Sequence, residues 1–500
     1  MIEVMRNELF NGRSCSPFVR FGAAGLAVLL SACVSPPDTG PMPEMRSAQS
    51  IAAEKSLPTD PAAQWPEDGW WRDFGDEQLG ALIEEGLKGS PDIAAAAARF
   101  RVASGMVLES RKGLLPTLDA NGQAGVERRS VNNGYSDVIK QYLPRGWKES
   151  AEVSGEVTLN LDLWGRNRAA LAAATSEAEA AAIEAREARL VLSTAIADAY
   201  FDLARLLEER DIRKAGLDVR LATEDLVSNR MDNGLETRGS LRQAEAEVAT
   251  ARVDLAAADQ AVGLRRNQIA ALLGAGPDRG LAIERPQLAE IVPSGLPAGV
   301  TTELVGRRPD IAAARARAEA AARRVRVART DFFPAISLNA LIGLQAQGFE
   351  NLFETDSTFG HARPAINLPI FRGGELRGRY RTARGGFDEA VADYDKTVLE
   401  AYREVADIVT SQQQVGKQLE DARAALDASE EAYSIAKLRY EGGLSRYLDV
   451  LTVEDRLLQA RLAVAGLDAD ARGLKIALIR ALGGGFGNLA ADLGKDNSDG

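Results

Sequence analysis

Arg230-Met231-Asp232-Asn233-Gly234-Leu235 lies inside a long run without proline, bounded by Pro144 and Pro277. Ahead of it, residues 165–231 are rich in Ala, Glu, Arg and Leu, and at about 1.5 Å per residue they predict a helix of roughly 100 Å. Gly234 then permits a reversal, because glycine enters the left-handed conformation that ends helices, and 236–273 return as a second helix. The run reads as a long antiparallel helical hairpin.

The same punctuation recurs 209 residues on, as Arg439-Tyr440-Glu441-Gly442-Gly443-Leu444. That offset also pairs Asp198 with Asp407, Glu245 with Glu454, Arg252 with Arg461 and Leu273-Gly274 with Leu482-Gly483. Upstream, Pro91-Asp92-Ile93-Ala94 returns as Pro309-Asp310-Ile311-Ala312, and Pro116 as Pro334, at offset 218. The chain is a tandem duplication, with the additional residues of the first copy expected in the loop near 130–150.

A chain of 500 residues that is 45% hydrophobic can bury a large core, but its aromatic share is 6% and alanine dominates, which suits close helix packing. The formal charge of -12 and the lack of a dense basic face argue against a nucleic-acid partner. Residues 21–32 follow Arg6, Arg13 and Arg20, are apolar, and are too short to span a bilayer, so 1–32 read as an export signal. The run ends Leu30-Ser31-Ala32-Cys33, which resembles a bacterial lipobox with Cys33 as the lipidated residue. Val34 in place of aspartate implies sorting to the outer membrane. Residues 33–64 read as a lipidated, extended tether, and the tail 485–500 as disordered.

Trp65 and Trp70-Trp71 open the folded part. The helices starting at Pro91 and Pro309 are stopped by Pro116 and Pro334, and the period then changes from 3.6 to 2. Val153, Gly155, Val157, Leu159, Leu161 and Leu163 share one face of a segment whose other face is polar. Strands are expected at about 117–128, 153–163, 335–346 and 359–370, with Leu341 breaking the alternation of the third. Nine to eleven residues with two unlike faces suit a membrane β-barrel strand, and equally a small soluble sheet. Four strands cannot close a barrel, so a membrane reading requires several chains to share one. Tyr135, Tyr142, Trp147 and Phe349 lie in or near the hairpin loops, where an interfacial girdle would sit.

The duplication, the paired hairpins, the opening with Phe74-Gly75-Asp76, and the segments Leu161-Asp162-Leu163-Trp164-Gly165-Arg166 and Leu368-Pro369-Ile370-Phe371-Arg372-Gly373-Gly374 together resemble the TolC-like outer membrane efflux proteins. Cys33 places the resemblance in their lipoprotein branch, the NodT or OprM type. It implies an α+β membrane protein: a homotrimer with a long α-helical periplasmic barrel joined to a twelve-stranded transmembrane β-barrel, four strands per chain. On that template, 65–276 and 301–484 are the two repeats, with helical hairpins at 165–273 and 374–483 and a linker at 277–300. The implied partners are a periplasmic adaptor (membrane fusion) protein, an inner-membrane RND-type pump and outer membrane lipid. No cofactor is implied beyond the covalent lipid on Cys33.

The family's adaptor-facing pattern, an arginine followed four residues later by glycine, is met by Arg230 with Gly234 and by Arg439 with Gly443, with Leu235 and Leu444 beside them. Its entrance is narrowed by aspartates just after the second tip. Asp449 matches the first of these, and Thr452 stands where the second would be. No catalytic or metal constellation is visible: His361 is the one histidine, and Gly483-Gly484-Gly485 lacks a following Lys. The chain therefore reads as a passive exit duct of a tripartite efflux system for drugs or other small toxic compounds. The alternatives are a duct for type I protein secretion and, in a different class, a periplasmic coiled-coil scaffold lipoprotein, which would have no use for two amphipathic strand hairpins.

Overall fold

In the computed structural model the described residues are 36–287 and 295–486; Cys33, the 1–32 signal and the tail beyond 486 lie outside them. The chain runs α1 (Glu77–Gly89), α2 (Pro91–Arg111), β1 (Thr117–Glu127), β2 (Lys148–Leu161), α3 (Arg166–Asp232) and α4 (Arg238–Leu272), then α5 (Val300–Arg307), α6 (Pro309–Thr330), β3 (Ala335–Gln347), β4 (Thr358–Asn367), α7 (Glu375–Glu441) and α8 (Tyr447–Ala481). Helices α3 and α7 have 67 residues each, and α4 and α8 have 35 each, so the helical halves of the duplication agree to the residue. Packing divides the chain into two compact units.

The first unit comprises Ser104–Ser176 and Ala318–Ala390 with residues 36–43. Its centre is one antiparallel sheet in the order β1-β2-β3-β4, so β2 and β3 join the two repeats and β1 and β4 are open edges. Register sorts the side chains cleanly. Leu118, Val157, Ala340 and Ala362 form one cross-strand row, and Leu161, Ile336 and Ile366 another on the same face. The opposite face carries Asp119, Glu156, Leu341 and His361 in one row and Thr158, Asn339 and Arg363 in the next. The apolar face is left open: Leu118, Ile342 and Ile366 are each about 70% exposed. Leu341 departs from the alternation, and two residues on Gly343 pairs with Phe359, whose ring a Cβ at Gly343 would approach to 2.9 Å.

Two strand expectations are corrected. The second strand is Lys148–Leu161 rather than 153–163: the ladder continues through Ser150, which pairs with Gln347, while Asp162 turns to cap α3 through the Asn167 and Arg168 amides at 2.9 and 3.0 Å. The fourth is Thr358–Asn367 rather than 359–370, because its partner β3 begins at Ala335, which pairs with Asn367, and the ladder has no partner beyond it. The loop between β1 and β2, residues 128–147, is longer than 348–357 between β3 and β4 and holds a one-turn helix, Asp137–Lys140. Tyr142 and Trp147 are exposed in or beside it.

The second unit comprises the described residues of Glu44–Ala103 and Glu177–Arg317 together with 391–486. One core packs Trp70, Trp71 and Phe74 on Leu79, Ile83, Ile196, Tyr200 and Ile269. Asp76 is its polar pin: it caps α1 through the Leu79 amide at 3.1 Å and accepts from the fully buried Tyr200 hydroxyl at 2.8 Å. A second core gathers Leu304, Ile311, Tyr402, Val405 and Leu482. Here the expected extended tether is corrected. Ala53 and Leu57 are buried in this second core, and Asp60 bonds the Leu296 carbonyl at 2.8 Å, because apolar Ile51, Ala53 and Leu57 interrupt an otherwise polar stretch. The expected linker 277–300 likewise contains a helical turn, Asp278–Leu281, and buries Ile283 and Leu296.

The repeated Leu-Gly pair has a steric cause. Gly274 and Gly483 end α4 and α8 at φ 74° and 89°, and a Cβ there would sit 2.3 Å from the Gly89 carbonyl oxygen and 1.9 Å from that of Arg307. Each long hairpin thus closes by pressing a bare backbone against the short helix that precedes the next proline.

Candidate functional site

The turns at the far ends of the two helical hairpins are built alike. Gly234 and Gly443 have φ 71° and 75°. Leu235 donates to the Arg230 carbonyl at 2.8 Å and Leu444 to that of Arg439 at 2.7 Å, the six-to-one bond of a Schellman terminator. The arginine-to-glycine spacing is therefore first a helix stop. It leaves Leu235 67% and Leu444 74% exposed, each at the apex of its turn.

The side chains are not alike. Arg230 Nη1 donates to the Tyr440 carbonyl at 3.0 Å and its guanidinium lies 4.9 Å from the centre of that ring. The Tyr440 hydroxyl donates to Glu236 at 3.2 Å, and Glu236 also accepts from Ser240 Oγ at 2.9 Å and the Thr237 amide at 3.1 Å. Burial, reinforced by the Glu236 charge, pushes the Tyr440 hydroxyl up to about 12. Burial opposes ionisation of Glu236, but the Ser240 and Thr237 bonds outweigh it and hold its carboxyl below the usual range. Tyr440 stands where the first repeat has Met231, and Glu236 where the second has Ser445, so this clasp between the turns has no symmetric copy. Arg439 is exposed.

Asp449 is the third residue of α8, exposed, with Oδ2 accepting from the Arg446 amide at 3.0 Å. It is thus a helix cap as well as a surface carboxylate. Thr452 turns its hydroxyl onto the Leu448 carbonyl at 2.8 Å.

About ten residues back from the turns, Arg220 is buried among three carboxylates. It meets Asp455 at 2.7 Å, Glu454 at 3.3 Å and Glu247 at 3.6 Å, tying α3 to α4 and α8. Burial raises the Glu454 carboxyl above its ordinary value against the pull of Arg220. Neither this cluster nor the Tyr440 clasp is among the sites expected from sequence. The available signal was a break in the repeat: Arg220 aligns with Ser429 and Tyr440 with Met231.

The profile of the family described as "Outer membrane efflux protein" matches residues 82–275 and 300–484. The fusaric acid resistance protein FusA of Burkholderia cepacia is 32% identical over 73% of this chain and 70% of its own. The pyoverdine export outer membrane protein OpmQ of Pseudomonas putida is 29% identical over 92% of this chain and 96% of its own. Among solved structures, the outer membrane protein VceC of Vibrio cholerae superposes with a TM-score of 0.79 at 40% identity, covering 84% of this chain and 100% of VceC.

Proposed function

Because this chain belongs to the outer membrane efflux protein family and is an outer-membrane efflux channel, we propose that three copies pool their sheets into one barrel wall and pass small toxic compounds outward. The observation that carries the reading is the sheet itself. It has one exposed apolar face, one polar face and two open edges, and an open edge in lipid leaves backbone groups unpaired. Further copies of the same four strands complete it, and three leave a lumen lined by the Asp119 and Thr158 rows.

Energy and substrate choice then belong to an inner-membrane pump, reached through a periplasmic adaptor that docks on the exposed Leu235, Leu444 and Arg439 apices. Asp449 of three copies would form a carboxylate ring at the entrance. The lipid on Cys33 fits the same placement. Arg384 of α7 holds the Gly40 and Pro41 carbonyls about 14 Å along the helix from its start.

The test is the protein mass of the detergent-extracted, mature protein by light scattering, corrected for bound detergent. A trimer is expected. A monomer that stays soluble once its lipid is removed would return the strands to a soluble sheet.

A further inference from the structure

Where each strand meets a helix, the sequence changes in the same order. Leu163-Trp164 is followed by Arg166 and Arg168, and Ile370-Phe371 by Arg372 and Arg377. Read toward the sheet, Arg326 and Arg329 precede Phe332-Phe333, and Arg111-Lys112 precede Leu114-Leu115. Register puts all four junctions at one end of the sheet, since Leu161 pairs with Ile336 and Ala335 with Asn367. At the other end the β3–β4 loop carries Glu350, Glu354 and Asp356 and no Lys or Arg, whereas the β1–β2 loop carries Arg128, Arg129, Lys140 and Arg145 with Asp137 alone.

The junction has a cavity of about 310 Å3 lined by Trp164, Arg166, Asp331, Arg372, Glu375 and Arg379. Trp164 is fixed there by its Nε1 bond to the Pro334 carbonyl at 2.8 Å and by stacking on Phe333 with centroids 5.0 Å apart. Arg166 and Arg379 share the mostly buried Asp331, at 2.6 and 3.9 Å, and Arg379 also meets Glu375 at 2.5 Å. Arg372 lies 3.8 Å from the same glutamate. Three guanidinium groups, each about half exposed, thus face two carboxylates beside a patch where Leu163, Ile370 and Phe371 are exposed.

We infer that this junction binds the phosphodiester headgroup of an anionic phospholipid in the periplasmic leaflet, through Arg166, Arg372 and Arg379, with Trp164 and Phe371 at the glycerol level. The inference rests on the sheet lying in the membrane. Apolar face, aromatic ring and guanidinium then follow one another as acyl chain, glycerol and phosphate do in a lipid, and guanidinium pairs with phosphate in a forked geometry.

The test uses the full-length protein in nonionic detergent, titrated with dioleoylphosphatidylglycerol, dioleoylphosphatidylcholine or inorganic phosphate. Lipid retention is read by native mass spectrometry and the thermal midpoint by light scattering. Phosphatidylglycerol should be retained at least threefold more than phosphatidylcholine, in a salt-sensitive manner, and should raise the midpoint by several degrees. In R166Q/R372Q/R379Q the preference should vanish while membrane fractionation and assembly mass stay as in the wild type. R372Q alone, which gives up only the 3.8 Å contact with Glu375, should weaken it partly if the triple variant fails to assemble. Equal retention of both lipids, an unchanged preference in the variants, or an equal shift from inorganic phosphate would overturn the headgroup site. A wild-type protein that is soluble and lipid-free would instead overturn the membrane placement.

Discussion

At the residue scale, the buried Arg220 is the side chain whose removal should cost most. Replacing it with methionine leaves Glu454 buried and unpaired, and breaking such a pair typically costs ~3 kcal/mol. Arg220→Met should lower the thermal midpoint sharply, and a midpoint within a degree of wild type would show that water reaches the site. Glu454 also predicts a pH response. Its folded-state carboxyl sits above the unfolded value, so its stabilising contribution is complete below the ordinary carboxylate range and is lost as pH rises through the folded value. Arg220, Asp455, Glu247 and Tyr447 all face it, and Arg220 keeps Asp455 in Glu454→Gln. That variant should therefore gain on the wild type as pH rises above the ordinary carboxylate range, and a constant difference in midpoint would refute the assignment. For Asp449→Ala, higher single-channel conductance or weaker cation preference is expected; no change in either would leave Asp449 as a helix cap alone.

At the scale of elements, the sheet's two faces make opposite predictions. Ile342→Arg places charge on the apolar face, where it costs about 2–4 kcal/mol near a bilayer midplane, whereas Asn339→Arg faces the polar side. The first should deplete the protein from the outer membrane fraction and the second should not; equal depletion would mean that neither face meets lipid. At the turns, Gly443→Pro removes both the φ of 75° and the amide that closes on the Tyr440 carbonyl at 2.9 Å. Loss of efflux with an intact assembly is expected, and normal efflux would clear this turn of any docking role.

The elements also show what a sequence can and cannot disclose. The long helices were legible because proline is absent and Asn-Gly or Gly-Gly marks each turn, all local chemistry. Strand faces were legible from their period of 2, but strand ends were not, since they depend on Ser150 finding Gln347 and on Asp162 preferring helix amides. The packing of Ala53 and Leu57 and the Arg220 cluster were hidden for the same reason. Leu296 for Ala53 and Leu57, and Glu454 and Asp455 for Arg220, lie more than 200 residues away, and nothing in the local pattern names them.

At the scale of the whole molecule, the duplication sets what may change. Two helices of 67 residues and two of 35 keep the turns in step, and one residue more or less in an α-helix rotates everything beyond it by about 100°. A deletion in α3 without its match in α7 would swing Arg230 away from Tyr440 and Arg220 away from Glu454 together. Tolerance for altered length is left to the β1–β2 loop, which is where the two copies already differ. Descent by insertion and deletion is thus channelled: this chain can lengthen toward the cell exterior residue by residue, but its helices can change length only by a paired event in both repeats.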